Sequence, residues 1–363
     1  MCRFKSLPIV DGTLLRRRDW LQWAVCGLGG AGLGLGLGNI EGRAQPPKIP
    51  ATGPKSEVHA AVDAAETASG TIAEPDLADI QKRFVKAGIG PLVTVRSHHY
   101  VAIGDAAEAF IKLILGDCEQ LATDFQKHFQ SHGFAVRLPE HRLVVAIFRD
   151  DHSFGKFFNL PPLIELAERK EAIQSAGRYY LTTNTLFIFD WRNVPIANRP
   201  ASKNIQTLSH EGIHQLSFNT GLLNREGDTP KAIIEGLGTY GEARKTIGAS
   251  DLGRPNLSRM DDLAKFQRRV AWIPVRELLT EDAIFQSGSS ARVMLGYAQS
   301  WLLVHYLMKD QEMLPRFRNY LQAIAKRTRP NRRLEDAQAH LGDLDRLDRD
   351  LRRYAVRIQL SLR

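Results

Sequence analysis

The sequence predicts an α+β protein: a small N-terminal sheet with a long helix, then a mainly helical subdomain. Three observations predict it. Short apolar runs of strand character, at residues 92–103, 143–148, 179–182 and 186–189, all precede Ser202. Residues 106–133 instead carry apolar side chains at helical spacing, through Phe110, Leu113, Ile114, Leu121 and Phe125. Beyond Ser202 the helical pattern runs almost to the end, interrupted only at 221–229, 248–255 and 329–330, where Gly, Pro and small polar residues cluster.

Taken in order, residues 1–44 have the layout of an export signal. Arg16-Arg17-Arg18-Asp19-Trp20-Leu21 precedes a Gly-rich, weakly apolar run at 24–38 and a small residue at Ala44, and this resembles a twin-arginine signal cleaved after Ala44. The run falls short of the roughly 20 apolar residues a spanning helix needs, so the expected location is periplasmic or secreted, with membrane contact only through the signal before cleavage. Residues 45–75, rich in Pro, Ala, Ser, Thr and Glu, read as a flexible linker. A single domain is expected over 76–330, with strands before Ser202 and a loop at 193–200. A helical extension, marked by Leu334, Leu341, Leu344, Leu347 and Leu351, is expected over 331–363.

With 43% hydrophobic residues in 363, the chain can bury a core. Its formal charge of +9 comes from 49 basic residues interspersed with 40 acidic ones, and no nucleic-acid motif accompanies it, so nucleic acid is not an expected partner. Removal of the signal leaves Cys118 as the only thiol, which excludes an internal disulfide. Its place in a helix beside Ile114 and Leu121 predicts a buried structural cysteine.

His210-Glu211-Gly212-Ile213-His214 carries the chemistry. Two His four positions apart on a helix project from one face, one turn apart, and can grip one ion; the Glu after the first His lies beside whatever the ion activates. Ser202 as N-cap, an apolar stripe of Ile205, Leu208 and Leu216, and the stop at Asn219-Thr220-Gly221 put this motif within a bounded helix. Thr229 as cap and Pro230 in the first turn open a second helix over 231–244, with Glu235 in its second turn. Catalytic zinc sites keep three protein ligands, and Glu235 is the candidate third. Gly236, Gly238 and Gly241, each costing a helix about 1 kcal/mol relative to Ala, point to close helix approach.

HEGIH followed by EGLGTY resembles the gluzincin pattern of zinc metallopeptidases, HExxH with a downstream E-G-x-A-x-Y helix. The resemblance is strongest over 205–245. It extends weakly to RSHHYVAIGD, AIFRDDHSF and GYAQSWLLVHYL, which are similar to segments of a bacterial domain of uncharacterised function grouped with gluzincin-like peptidases. It implies a zincin-like helical subdomain, Zn2+ held by His210, His214 and Glu235, Glu211 taking a proton from the attacking water, and a peptide or protein substrate. Tyr297 is the first candidate for a second donor to the oxyanion, and Tyr240 the second. Thermolysin-like enzymes place an acid four residues after the third ligand to orient a zinc-bound His; Thr239 stands there, and Glu242, on the same helical face as Glu235, is the candidate for that work.

Other readings weigh against some of these residues. Tyr297, Trp301 and His305, one turn apart, also fit an aromatic core stripe, and His98-His99 and His152 fit packing or surface roles better than a second metal site. At the level of function, a non-catalytic, metal-stabilised envelope module and a metallohydrolase of non-peptide amide bonds remain alternatives to a peptidase.

Overall fold

The strand β3 (Leu143–Phe148) is LVVAIF, apolar and buried at every position, so it must be covered on both faces. In the computed structural model, which describes residues 77–158, 177–194, 203–243, 252–285, 290–327 and 331–360, it is the central strand of a five-stranded mixed sheet. The order is β1-β2-β3-β5-β4, with β1 (Val93–Arg96), β2 (Tyr100–Gly104), β4 (Gly177–Tyr180) and β5 (Thr185–Phe189). β2, β3 and β5 run parallel, and the outer strands β1 and β4 are antiparallel to their neighbours.

Alternation sorts the side chains between two cores. Ala146, Phe148, Phe187 and Phe189 face one side, where Ile80 and Phe84 of α1 (Leu77–Lys86) and Phe154 and Phe157 of α3 (Asp151–Phe158) cover them. Val145, Ile147, Leu186 and Ile188 face the other, packed with α2 (Glu108–Ser131) and the rest of the helical body. Cys118 is buried in α2 as expected.

Against this second face lies α4 (Lys203–Asn219), tied to the sheet by Gln215 Nε2, which donates to the carbonyls of Val144 (3.0 Å) and Asn184 (3.2 Å). Helix α5 (Lys231–Gly241) packs on α4 and on α8 (Ser290–Lys309). Around them lie α6 (Leu257–Phe266), α7 (Val275–Thr280), α9 (Met313–Lys326), α10 (Arg333–Leu341) and α11 (Leu344–Leu360). The chain is therefore α+β, strands first and helices after, as its pattern predicts. Leu341, Leu344, Leu347 and Leu351 are buried in the main core, and Arg333 bonds Asp228 and Asp282, so α10 and α11 dock on the body.

Several local expectations need correction. Residues 92–103 are not one strand but a hairpin, because Ser97–His99 turn out of the sheet; His98 and His99 sit in that turn with rings 4.2 Å apart. The helix α5 begins after Pro230, with no side-chain cap: the Thr229 hydroxyl makes no hydrogen bond among the described residues, and Asp282 Oδ1 accepts the Lys231 N–H instead (2.9 Å). Ser202, the loop 195–200, Arg244, the signal 1–44 and the linker 45–75 lie outside the described residues. Among the described residues, no helix is long and apolar enough to cross a membrane.

Candidate metal centre

One turn of α4 separates His210 from His214, so both imidazoles leave the same face and meet with Nε2 atoms 3.0 Å apart. α5 returns across them and sets Glu235 Oε2 3.3 Å from His210 Nε2 and 3.6 Å from His214 Nε2. All three residues are buried. Ligands 2.0–2.1 Å from a tetrahedral zinc stand about 3.3 Å from one another, so the three atoms already have the spacing of one coordination sphere. A second observation agrees. Glu235 Oε2 is buried without a hydrogen-bond partner among the described residues, which is costly for a carboxylate unless a cation meets it. Burial would raise the Glu235 carboxyl, but the two facing imidazoles outweigh it and hold the group well below its ordinary range. The group can hold a metal ion, and it is the one set of three His, Cys, Asp or Glu side chains in ligand geometry among the described residues.

Glycine makes this approach possible. A Cβ on Gly238 would stand 2.7 Å from His214 Cε1 and 2.9 Å from His210 Nε2, and one on Gly241 would stand 2.6 Å from Ile213. Gly236 serves a different contact than the sequence suggests: a Cβ there would stand 2.6 Å from the Ser300 carbonyl oxygen of α8, not against α4. Gly212, inside the motif, faces Leu121 of α2.

The residue after His210, Glu211, is buried, and its Oε2 accepts the backbone N–H of Tyr179 on the edge strand β4 (2.7 Å). Glu242, just past the end of α5, reaches the first of the two histidines. Its Oε1 lies 2.8 Å from His210 Nδ1, fixing the ring so that Nε2 faces Glu235 and His214. Two residues absent from the sequence reading hold Glu242 in turn. Arg259 donates to both carboxylate oxygens (2.8 and 2.6 Å), and Asn256 Nδ2 donates to Oε2 (3.0 Å) while its Oδ1 caps α6. Burial would raise the Glu242 carboxyl, yet Arg259 and His210 keep it at about 2, and Glu242 holds the buried Arg259 firmly protonated. Asn256 carried a recognisable helix-start signal; Arg259, one of 49 basic residues, carried none.

The two tyrosines part company. Tyr240 turns its hydroxyl to His128 Nε2 on α2 (3.0 Å) and is packed in the core. Tyr297 is also fully buried, edge-on to Phe285, but its ring lies 5.7 Å from the Arg259 guanidinium and so adjoins the Glu242–His210 chain. Trp301 and His305 continue the buried stripe of α8, and His305 Nδ1 lies 2.7 Å from the Tyr354 hydroxyl. His99 pairs with Glu119 (2.7 Å), and His152 is exposed on α3.

No curated protein matches the chain. Residues 204–330, which span both ligand helices and α8, match the model of a family described as "Protein of unknown function (DUF1570)".

Proposed function

We propose that the protein is a zinc-dependent hydrolase, most concretely a peptidase of the gluzincin type acting outside the cytoplasm. The observation that carries the proposal is the meeting of His210, His214 and Glu235, with Glu211 next to His210 in the chain. A zinc ion bound by these residues would supply Lewis-acid polarisation and bring the pKa of water towards about 7. Glu211 would accept the proton of the attacking water and pass it to the leaving amine. The Tyr179 N–H anchors one oxygen of that carboxylate and so restrains its orientation. Glu242, itself gripped by Arg259, keeps His210 in the tautomer that presents Nε2. Tyr297 is the proposed donor to the oxyanion, because Tyr240 is engaged with His128.

Metal analysis of purified protein and of Glu211→Gln tests the reading. Both are expected to bind one zinc, with the wild type cleaving a broad peptide mixture and the variant slower by about 100-fold or more. Stoichiometric zinc without wild-type cleavage would instead support a metal-stabilised binding module. Export belongs to the same proposal: replacing Arg17 and Arg18 with Lys should abolish it, and undiminished export would remove the twin-arginine route.

A further inference from the structure

One turn beyond His214 on the same face of α4 stands Phe218, whose ring stacks on Tyr179, the residue whose N–H holds Glu211. Phe218 and Asn219 form one wall of a cavity of about 580 Å3, within the range of small-ligand pockets. The opposite walls come from the loop after α4, with Asn224, Arg225 and Glu226, and from the end of α9, with Lys326. Arg225 and Lys326 have no ion pair among the described residues, and Glu226 is the only carboxylate in the lining. The loop that presents Arg225 is held on both sides. Leu223 N–H bonds the Ser217 carbonyl (2.8 Å), Asn224 Oδ1 accepts the Glu226 N–H (3.0 Å), and Asp228 is gripped by Arg333.

We infer that this cavity is a subsite for a carboxylate of the substrate, about two residues from the bond that is cut, with Arg225 and Lys326 as its specificity-determining cations. This rests on the hydrolase reading of the metal centre. The spacing sets the register. From His214 to Phe218, on the same face, the helix rises about 6 Å at 1.5 Å per residue, and an extended peptide covers about 3.3 Å per residue, so about two residues span that length of helix. Two unpaired cations beside amide side chains favour an anion, and Arg225 can bind a carboxylate in a forked geometry. The carboxylate can be an Asp or Glu side chain or the free end of a short peptide.

The test uses the full, zinc-loaded Glu211→Gln protein and fluorescein-labelled hexapeptides of Ala and Phe. One set carries a single Glu at each position in turn with an amidated end; a second carries Gln at those positions; a third, with Gln, has a free C-terminus. Fluorescence anisotropy should give at least tenfold tighter binding for one Glu position over its Gln counterpart if a side chain is read, or for the free end over the amide if the terminus is read. Exchanging both cations in Arg225→Glu/Lys326→Glu should abolish that preference. Equal binding across all three sets, or a preference that survives the exchange, overturns the subsite, whether or not wild-type protein cleaves. An intact preference with no wild-type cleavage would retain the subsite and remove the hydrolase reading instead.

Discussion

At the scale of single residues, the centre depends on a chain of buried polar contacts, His210 to Glu242 to Arg259, in which each member satisfies the next. Glu242→Gln keeps the shape but loses the charge that orients His210, so zinc affinity, read by competition with a chelator, should fall between about 10- and 100-fold. Arg259→Met removes the cation and strands a buried carboxylate. Breaking a buried pair from one side costs about 3–5 kcal/mol, and urea unfolding should register a loss of that order. A loss below about 1 kcal/mol would mean that Glu242 finds another counter-charge. Of these residues, the sequence marked Glu242 through its place on the Glu235 face; Arg259 has no such mark, because nothing local distinguishes a buried arginine from an exposed one.

Elements matter through how closely they approach. α4 and α5 meet at Gly238 and Gly241, and the ligand atoms converge only because no Cβ intervenes. Gly238→Ala would place a methyl against both imidazoles, so zinc retention should drop by about tenfold or more while the far-ultraviolet circular dichroism stays near wild type. Gly212→Ala is the control: its Cβ meets only the flexible end of Leu121, and the helix gains about 1 kcal/mol of propensity to offset the crowding. Equal zinc loss in both variants would mean that helix spacing does not govern the site. The glycines were legible as a sign of close packing; their division between α4 and α8 was not, because a glycine does not reveal which neighbour it admits.

For the whole molecule, the packing of α2, α5, α8 and α11 buries two histidines away from the candidate metal centre. His128 is held at about 4 by burial, with His132 and Lys309 adding to the effect. His305 is held at about 4 by burial and Lys309, against a weaker opposing contact with Gly253. Both values lie below the ordinary 6.5, so the folded state takes up these protons less readily than the unfolded chain. Their contribution to stability is full above pH 6.5 and is lost as the pH falls towards 4. At pH 4.5 the loss should be about 2 kcal/mol for each ring. Glu242, held at about 2, is ionised across that window and does not contribute to it. Urea midpoints at pH 7 and 4.5 should therefore separate strongly for wild type and less for His128→Gln and His305→Gln. An undiminished separation in both variants would assign the acid sensitivity to other groups.

The sequence by itself determined the strands-first, helices-after arrangement and the helix that carries both histidines, and it marked Glu235 on the helix that follows and Glu242 on the same face as Glu235. These follow from periodicity and spacing, which are properties of neighbouring residues. Only the tertiary structure decided that Arg259 and Asn256 support the site, that Tyr240 serves His128, that β4 anchors Glu211, and that Arg225 and Lys326 share a cavity. Each of these joins residues remote in the chain, and such a contact is set by how packed elements meet, which no local pattern encodes.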